Sequence, residues 1–168
     1  MARDYFIADT HFGGENIRRY ENRPFASAEE MDEAFIANWN QTVNSEDTVY
    51  VLGDFSDYGK PEKDAEILQR LKGRKILVMG NHDRHRTPQE WRDLGFEECF
   101  SMPVLYEGFF LLSHEPLYIN VNMPYANFYG HVHANPSYKD ASKQSVCVSV
   151  ERIDYTPVEF NVLRAQMV

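Results

Sequence analysis

Residues 75–83 read KILVMGNHD, and this stretch decides the fold. Its apolar part, residues 75–79, predicts a buried strand that stops abruptly at a polar segment. Two earlier apolar runs, residues 5–8 and 48–52, end in polar residues in the same way. Strands of this kind are typical of a parallel sheet that is covered on both faces. The sequence therefore predicts an α/β domain organised around three such strands.

Two helices are predicted between these strands. Residues 27–42 form an amphipathic pattern in which Ser27 is a candidate N-cap and Glu30 completes a capping box. The buried face of this helix is expected to consist of Met31, Phe35 and Trp39. Residues 61–71 predict a second helix with proline in its first turn. The order strand, helix, strand, helix, strand implies parallel pairing with right-handed crossovers.

The second half of the chain has a different pattern. A short helix is expected from Pro88 to Leu94, and Glu107-Gly108 is typical of a hairpin turn. Further strands are predicted at residues 104–106, 108–113, 128–130, 145–150 and 158–162. An α/β half followed by a mostly β half suggests two stacked sheets within one domain that spans residues 1–168.

Polar clusters follow the three first strands. They are Asp9-Thr10-His11, Gly53-Asp54 and the tetrapeptide Gly80-Asn81-His82-Asp83. Ligands of open α/β sheets bind beyond the carboxyl ends of the strands, so these clusters should converge. Residues two apart in an extended chain point to the same side, which predicts that Asp9 and His11 reach one metal ion together. The same argument applies to His131 and His133.

The placement of the histidines supports a metal site. Five of the six histidines fall at strand ends, namely His11, His82, His114, His131 and His133. Any one of them alone would be interpreted as a hydrogen-bonded structural histidine. Five such placements beside two aspartates and an asparagine are better explained by a shared metal centre. Mixed imidazole and carboxylate ligands suit zinc, manganese, iron or nickel.

The motifs Asp-x-His, Gly-Asp, Gly-Asn-His-Asp, a single histidine and Gly-His-x-His occur in this order from residue 9 to residue 133. The set resembles the calcineurin-like metallophosphoesterase superfamily, in particular its small single-domain bacterial and phage branch. The resemblance implies a four-layer α-β-β-α sandwich in which helices flank two mixed sheets. It also implies a centre that binds two divalent metal ions.

The resemblance assigns a role to each motif residue. The first metal would be bound by Asp9, His11 and His133, and the second by Asn81, His114 and His131. Asp54 would bridge both ions, with each of its two oxygens facing one cation. His82 would be the general acid and Asp83 would orient its imidazole. The alternatives are a loop histidine without chemistry at residue 82 and a turn cap at residue 83.

The activity implied is hydrolysis of a small phosphate ester by a hydroxide that bridges the two metals. Phosphodiesters are the first choice of substrate, and phosphomonoesters such as nucleotides are the second. A non-catalytic scaffold and a nuclease for polymeric nucleic acid are the competing functions. The formal net charge of −9 argues against broad binding of nucleic acid.

Other features indicate the compartment. No apolar run approaches the roughly 20 residues of a membrane helix, and the amino terminus lacks the apolar segment of a secretory signal. The two cysteines lack CxxC spacing, which favours reduced thiols and a cytoplasmic protein.

Several arginines remain open to two interpretations. Arg23 and the segment Arg84-His85-Arg86 could contact phosphate, but a solvated loop is the favoured interpretation. Related chains of this branch often carry histidine where this chain has Gly14, which weakens any transfer of substrate specificity.

Overall fold

The computed structural model describes residues 1–138 and 141–167. The strands are β1 (Asp4–Ile7), β2 (Thr48–Val51), β3 (Arg74–Val78), β4 (Glu98–Phe100), β5 (Val104–Tyr106), β6 (Phe110–Leu112), β7 (Ala126–Tyr129), β8 (Ser145–Cys147) and β9 (Val158–Glu159). The helices are α1 (Glu15–Tyr20), α2 (Ala28–Thr42), α3 (Pro61–Arg70), α4 (Pro88–Leu94) and α5 (Phe160–Gln166), with 3-10 turns at Asn81–Asp83 and Val150–Arg152.

The first sheet has five strands in the order β4-β3-β2-β1-β9. The pairs of β1, β2, β3 and β4 are parallel, as the alternation of strands and helices predicts, and β9 runs antiparallel to β1. Strand β4 was not expected from the sequence. Its sequence, Glu98-Cys99-Phe100, lacks a continuous apolar run, and only pairing with β3, where Leu77 is opposite Cys99, defines it.

The second sheet has four strands in the order β5-β6-β7-β8. Strands β5 and β6 form the expected hairpin, and both Glu107 and Gly108 have positive φ angles, of 52° and 66°. Such angles are required by the turns that match the twist of a hairpin. The pairs β6–β7 and β7–β8 are parallel.

The two sheets pack face to face and are flanked by helices, which confirms the expected α/β sandwich. Helix α2 begins at the expected cap, because the Ser27 hydroxyl accepts a hydrogen bond from the Glu30 amide at 3.1 Å. Its buried face is formed by the predicted residues Met31, Phe35 and Trp39. On the other face of the first sheet, Phe6 packs edge-on against Phe128 of β7, with ring centroids 5.0 Å apart.

The prediction of a strand over residues 158–162 is wrong beyond residue 159. Phe160 instead begins α5, and the Glu159 carboxylate accepts from the Asn161 amide at 3.4 Å. The apolar residues Phe160, Leu163 and Met167 share the spacing of a helix face, and Leu163 is fully buried. This longer period outweighs the short alternation on which the strand prediction rested.

The sheets are joined at the edge where the strands of the first sheet end. Ala8 forms a parallel bridge with Ser149, and its amide donates to the Val148 carbonyl at 2.9 Å. This connection brings the loops after β1 and β2 beside those after β6 and β7. Within the described ranges, no helix combines the length and apolar character that crossing a membrane demands.

Candidate metal centre

The seven predicted ligand residues lie together at the edge where the two sheets join. Three clusters of histidine and aspartate side chains there could each hold a metal ion. Their ligand atoms lie within 4.8 Å of one another in each cluster. The convergence expected from the strand ends is therefore present in the structure.

The first set of donors surrounds the buried carboxylate of Asp9. Its Oδ2 atom accepts from the Ser149 hydroxyl at 2.6 Å and from the His131 amide at 2.8 Å. These two bonds fix the carboxylate and leave Oδ1 facing His133, whose Nε2 atom is 3.8 Å away. His11 completes this set, and its ring stacks on that of His133 with centroids 5.3 Å apart.

The second set of donors is more compact. Nε2 of His114 lies 3.0 Å from Oδ1 of Asn81 and 3.0 Å from Nδ1 of His131. The same His131 nitrogen lies 3.2 Å from the Asn81 oxygen. Three atoms that can each offer a lone pair converge here, so a proton or a cation is needed between them.

Asp54 lies between the two sets. Its Oδ2 atom faces both, at 3.5 Å from Nε2 of His11 and 3.3 Å from Nε2 of His114. Its Oδ1 atom accepts a hydrogen bond from the His82 amide at 2.9 Å. A single oxygen is thus shared by the two sets of donors, and the other oxygen accepts from the backbone.

The backbone of the site is left-handed at five of the predicted ligands. These residues have φ angles between 47° and 71° and are Asp9, His11, Asp54, His131 and His133. Such angles are uncommon outside glycine and tend to cluster at functional sites. The prediction that Asp9 and His11 converge is therefore right, but the reason given for it is wrong. They converge because the loop turns after β1, and not because the chain is extended there.

Hydrogen bonds that the sequence did not reveal orient three of the histidines. Nδ1 of His11 is 3.0 Å from both oxygens of Asp57, and Nδ1 of His133 is 3.0 Å from Glu151. Nδ1 of His114 donates to the Leu52 carbonyl at 2.9 Å. Each bond leaves the Nε2 atom turned towards the site, which is the usual arrangement behind metal-binding histidines.

Sequence signals for these orienting groups are weak. Asp57 lies three residues after Asp54 in the segment GDFSD, so its proximity to the motif was a usable signal. Glu151 lies in a turn near the end of the chain and carried none. Gly14 adjoins this arrangement, because a Cβ atom there would lie 2.8 Å from Oδ2 of Asp57.

Charges in the site shift several pKa values. Burial alone would raise the pKa of Asp54, but its hydrogen bond with His114 and nearby histidine charges lower it to about 2. Burial lowers the pKa of His114, but Asp54 and Asp9 outweigh this effect and raise it to about 9. The carboxylates therefore favour positive charge on the imidazole, and a bound cation would satisfy the same demand.

Asp83 does not orient His82, and that expectation is wrong. The buried Asp83 carboxylate accepts from the backbone amides of Asp54, Phe55 and Gly80 at 2.7 to 3.0 Å. It thus acts as a cap that fixes the loops after β2 and β3. The carboxylate beside His82 is Asp57, whose Oδ1 atom lies 3.3 Å from Nδ1 of His82.

The residues of the site fit a bound metal. Among the described residues, Oδ1 of Asp9 and Nε2 of His11 are buried and find no hydrogen-bond partner, so each needs a ligand to offset its burial. Close packing leaves no room for side chains at the motif glycines. A Cβ atom at Gly80 would lie 2.3 Å from Oδ1 of Asp54, and one at Gly53 would lie 2.3 Å from Nδ1 of His114.

The arginines near the motifs have mainly structural contacts. Arg23 is buried, donates to the carbonyls of Asp9 and Thr10 at 2.6 and 2.9 Å, and pairs with Glu151 at 2.7 Å. Arg86 is buried against Asp64 and lies 4.6 Å from the centroid of the Trp91 ring. Neither belongs to a solvated loop. Exposed Arg84 lies 3.4 Å from Glu115.

Replacement of Arg86 by methionine is expected to reduce the free energy of unfolding by about 3–5 kcal/mol, because the buried carboxylate of Asp64 would lose its partner. Urea denaturation of the metal-free protein measures the change. Arg92→Met, at a partly exposed arginine of α4 that is hydrogen-bonded to Gln89, is the control and should have little effect. The double variant Asp64→Leu/Arg86→Met should recover most of the loss. A small effect of Arg86→Met alone would contradict this interpretation.

Comparison with known proteins extends these observations. A family model described as calcineurin-like phosphoesterase matches residues 3–156. The uncharacterized protein MJ1445 of Methanocaldococcus jannaschii is 36% identical over 170 residues, which cover 97% of this chain and 90% of that protein. The Gene 66 protein of Mycobacterium phage D29 is 37% identical over 86 residues, covering 50% of this chain and 42% of the phage protein.

A solved structure has the same fold over almost its whole length. It is the crystal structure of AQ665 from Aquifex aeolicus, described as a protein of unknown function. It is 28% identical in sequence, has a TM-score of 0.74, and the match covers 98% of this chain and 99% of that one.

Proposed function

This chain belongs to the calcineurin-like phosphoesterase family, and on that basis we propose that it hydrolyses small phosphodiesters with the help of two divalent metal ions. The observation that carries the proposal is the position of Asp54. Its Oδ2 atom lies between two groups of donors, 3.5 Å from His11 and 3.3 Å from His114. A carboxylate oxygen shared in this way is suited to hold two cations side by side.

The two sites share Asp54. One would be completed by Asp9, His11 and His133, and the other by Asn81, His114 and His131. Cations bound there would lower the pKa of a coordinated water and offset the negative charge of the phosphate. Donors of this kind accept manganese, iron, zinc or nickel, so manganese is only the first ion to assay.

His82 is the proposed general acid. Its side chain is half exposed, and the backbone amide of the same residue is anchored to Asp54. When the bond to the departing alcohol breaks, a protonated imidazole at this position would transfer its proton to the alcohol oxygen. Asp57 is the proposed positioning residue, because its carboxylate contacts both His82 and His11.

The arrangement of charge favours diesters over monoesters. A monoester carries up to two negative charges, and enzymes often meet them with arginine. Here Arg23 and Arg86 are buried in internal ion pairs. A diester has one charge and needs fewer cations, so the proposed metal ions and His82 would suffice.

Features outside the centre support a small substrate within the cytoplasm. Cys99 and Cys147 are free and buried, as expected in a reducing compartment. The net charge of −9 disfavours a polymeric nucleic acid, whose affinity depends on a basic surface. A non-catalytic scaffold is disfavoured because the chain carries a histidine, aspartate or asparagine at every proposed donor position, together with His82.

Activity assays with metal analysis test the proposal. The protein, loaded with Mn²⁺, should hydrolyse bis-p-nitrophenyl phosphate faster than p-nitrophenyl phosphate. A metal-loaded protein that hydrolyses neither ester would overturn the proposal and favour a scaffold. Cleavage of long single strands that falls steeply with added salt would instead favour a nuclease.

The two orienting carboxylates should differ in their effects. Glu151→Gln is expected to weaken metal binding by about 10- to 100-fold, because it removes the negative charge of the acceptor behind His133, and turnover should recover at saturating metal. Asp57→Asn should weaken binding similarly but leave turnover reduced at saturating metal, because Asp57 also faces His82. Metal titrations followed by kcat and KM separate the two. Full recovery of kcat in Asp57→Asn would contradict its proposed role.

A further inference from the structure

A cavity of about 870 Å³ opens directly beside the proposed acid. We name it the α1 cavity, because residues of α1 form one of its walls. Asp57 and His82 line the side that adjoins the metal centre, and His85 also contributes to the lining. The volume falls in the range of about 300–1,000 Å³ that small-molecule sites occupy. None of the assigned metal ligands lines this cavity.

The wall formed by α1 combines an apolar surface with hydrogen-bonding groups. Ile17 and the ring of Tyr20 supply apolar surface, and Tyr20 as a residue is 82% exposed. Asn16 can donate and accept hydrogen bonds, and the guanidinium of Arg19, whose Nε atom lies 3.3 Å from Oε1 of Glu15, offers further donors. An exposed aromatic ring beside an amide and a guanidinium suits a planar heterocycle, which can stack and form hydrogen bonds at its edge.

The position of the cavity fixes which part of a substrate could occupy it. An ester whose phosphorus lies at the metal centre has its departing oxygen next to the general acid. The group attached to that oxygen therefore extends past His82, and the α1 cavity begins at this residue. The group on the other side of phosphorus would lie away from the cavity.

We propose that the α1 cavity binds the leaving group of the substrate and that this group is a nucleoside. The inference rests on the proposed function and names the substrate class for the same centre. In the reaction, an oxygen from water forms a bond to phosphorus while the bond from phosphorus to the nucleoside oxygen breaks. The electron pair stays on that oxygen, which receives the proton of His82. The attacking water releases one proton to the solvent, and the solvent returns one to His82. The products are a free nucleoside and a phosphomonoester of the other alcohol.

The methyl ester of adenosine 5′-monophosphate tests which alcohol is the leaving group. The pair of products depends on which of its two ester bonds to phosphorus breaks. Cleavage towards the nucleoside gives adenosine and methyl phosphate, and cleavage on the other side gives adenosine monophosphate and methanol. Chromatography of the reaction of the Mn²⁺-loaded protein should show adenosine and methyl phosphate. Predominant adenosine monophosphate, or both products in equal amounts, would overturn the inference.

Substitutions at Tyr20 test the cavity itself. Tyr20→Ala should retain its metal and lose about tenfold more kcat/KM on the adenosine ester than on methyl p-nitrophenyl phosphate, as expected when base stacking is lost. Tyr20→Phe should restore the selectivity for the adenosine ester, because the ring remains. Tyr118→Ala, at a comparably exposed tyrosine outside the cavity lining, is the control and should change neither rate. Equal losses of Tyr20→Ala on both esters would contradict the proposal.

A binding measurement and a reference substrate separate the possible failures. Saturation-transfer NMR should detect adenosine on the metal-free wild-type protein and lose the signal with Tyr20→Ala. Hydrolysis of bis-p-nitrophenyl phosphate without hydrolysis of the adenosine ester would overturn the cavity assignment and leave the proposed function standing. Hydrolysis of neither ester by the metal-loaded protein would overturn the proposed function, and this inference with it.

Discussion

Asp54→Asn is expected to lose metal and at least about a thousandfold in kcat/KM on bis-p-nitrophenyl phosphate. The substitution keeps the size of the side chain and an oxygen that can accept from the His82 amide. It removes the negative charge of Asp54, whose Oδ2 atom faces both His11 and His114. Elemental analysis of the purified variant, together with steady-state kinetics at several Mn²⁺ concentrations, measures both effects.

The control for this experiment is a second buried aspartate that lies outside the centre. Asp47 accepts hydrogen bonds from the amides of Arg3 and Asn44, both at 2.8 Å, so Asp47→Asn perturbs a comparable carboxylate. That variant should lose stability but retain metal and activity. An Asp54→Asn protein that holds the wild-type amount of metal and turns over normally would rule out a bridging role.

His82→Ala is expected to retain its metal and to lose turnover in proportion to the basicity of the leaving group. With an alkyl leaving group the rate should fall by about 10²- to 10⁴-fold, because the departing alkoxide must be protonated. With p-nitrophenolate, which departs without a proton, the loss should be much smaller. Rates on methyl and p-nitrophenyl diesters, measured beside metal content, give the comparison.

The leaving-group dependence is the internal control for His82. A purely structural defect would slow all esters by a similar factor, because it would disturb the whole loop after β3. The backbone amide of residue 82 still donates to Asp54 in the alanine variant, so the loop should keep its anchor. Uniform losses across the esters, or loss of metal, would contradict the assignment of His82 as general acid.

Much of the fold could be predicted because its signals are local. The cap at Ser27, the face formed by Met31, Phe35 and Trp39, and the hairpin at residues 107–108 all depend on residues that are neighbours in the chain. Strand β4 could not be predicted, because its sequence Glu98-Cys99-Phe100 lacks a continuous apolar run and only pairing with β3 defines it. The end of β9 was misjudged because a short alternation and a helix period overlap at Phe160.

The residues at the candidate centre could also be predicted, but not their contacts. Parallel strands end at one edge, so polar residues after β1, β2 and β3 must meet there whatever the details. The partner of His82 was assigned to its neighbour Asp83, yet the loop turns Asp83 inward to three backbone amides. The carboxylate that lies beside His82 comes from Asp57, on a different loop.

The sequence by itself determined the succession of strands and helices and the chemical identity of the donors, because both follow from residue types and short spacings. Only the tertiary structure decided that one oxygen of Asp54 faces both His11 and His114. It also decided that Asp57 and Glu151 form hydrogen bonds with the outer nitrogens of His11 and His133, and that a cavity adjoins His82. These features depend on distances between segments that are up to 140 residues apart, such as the contact of Asp9 with Ser149. Tertiary packing sets those distances, and they cannot be predicted from a local sequence pattern.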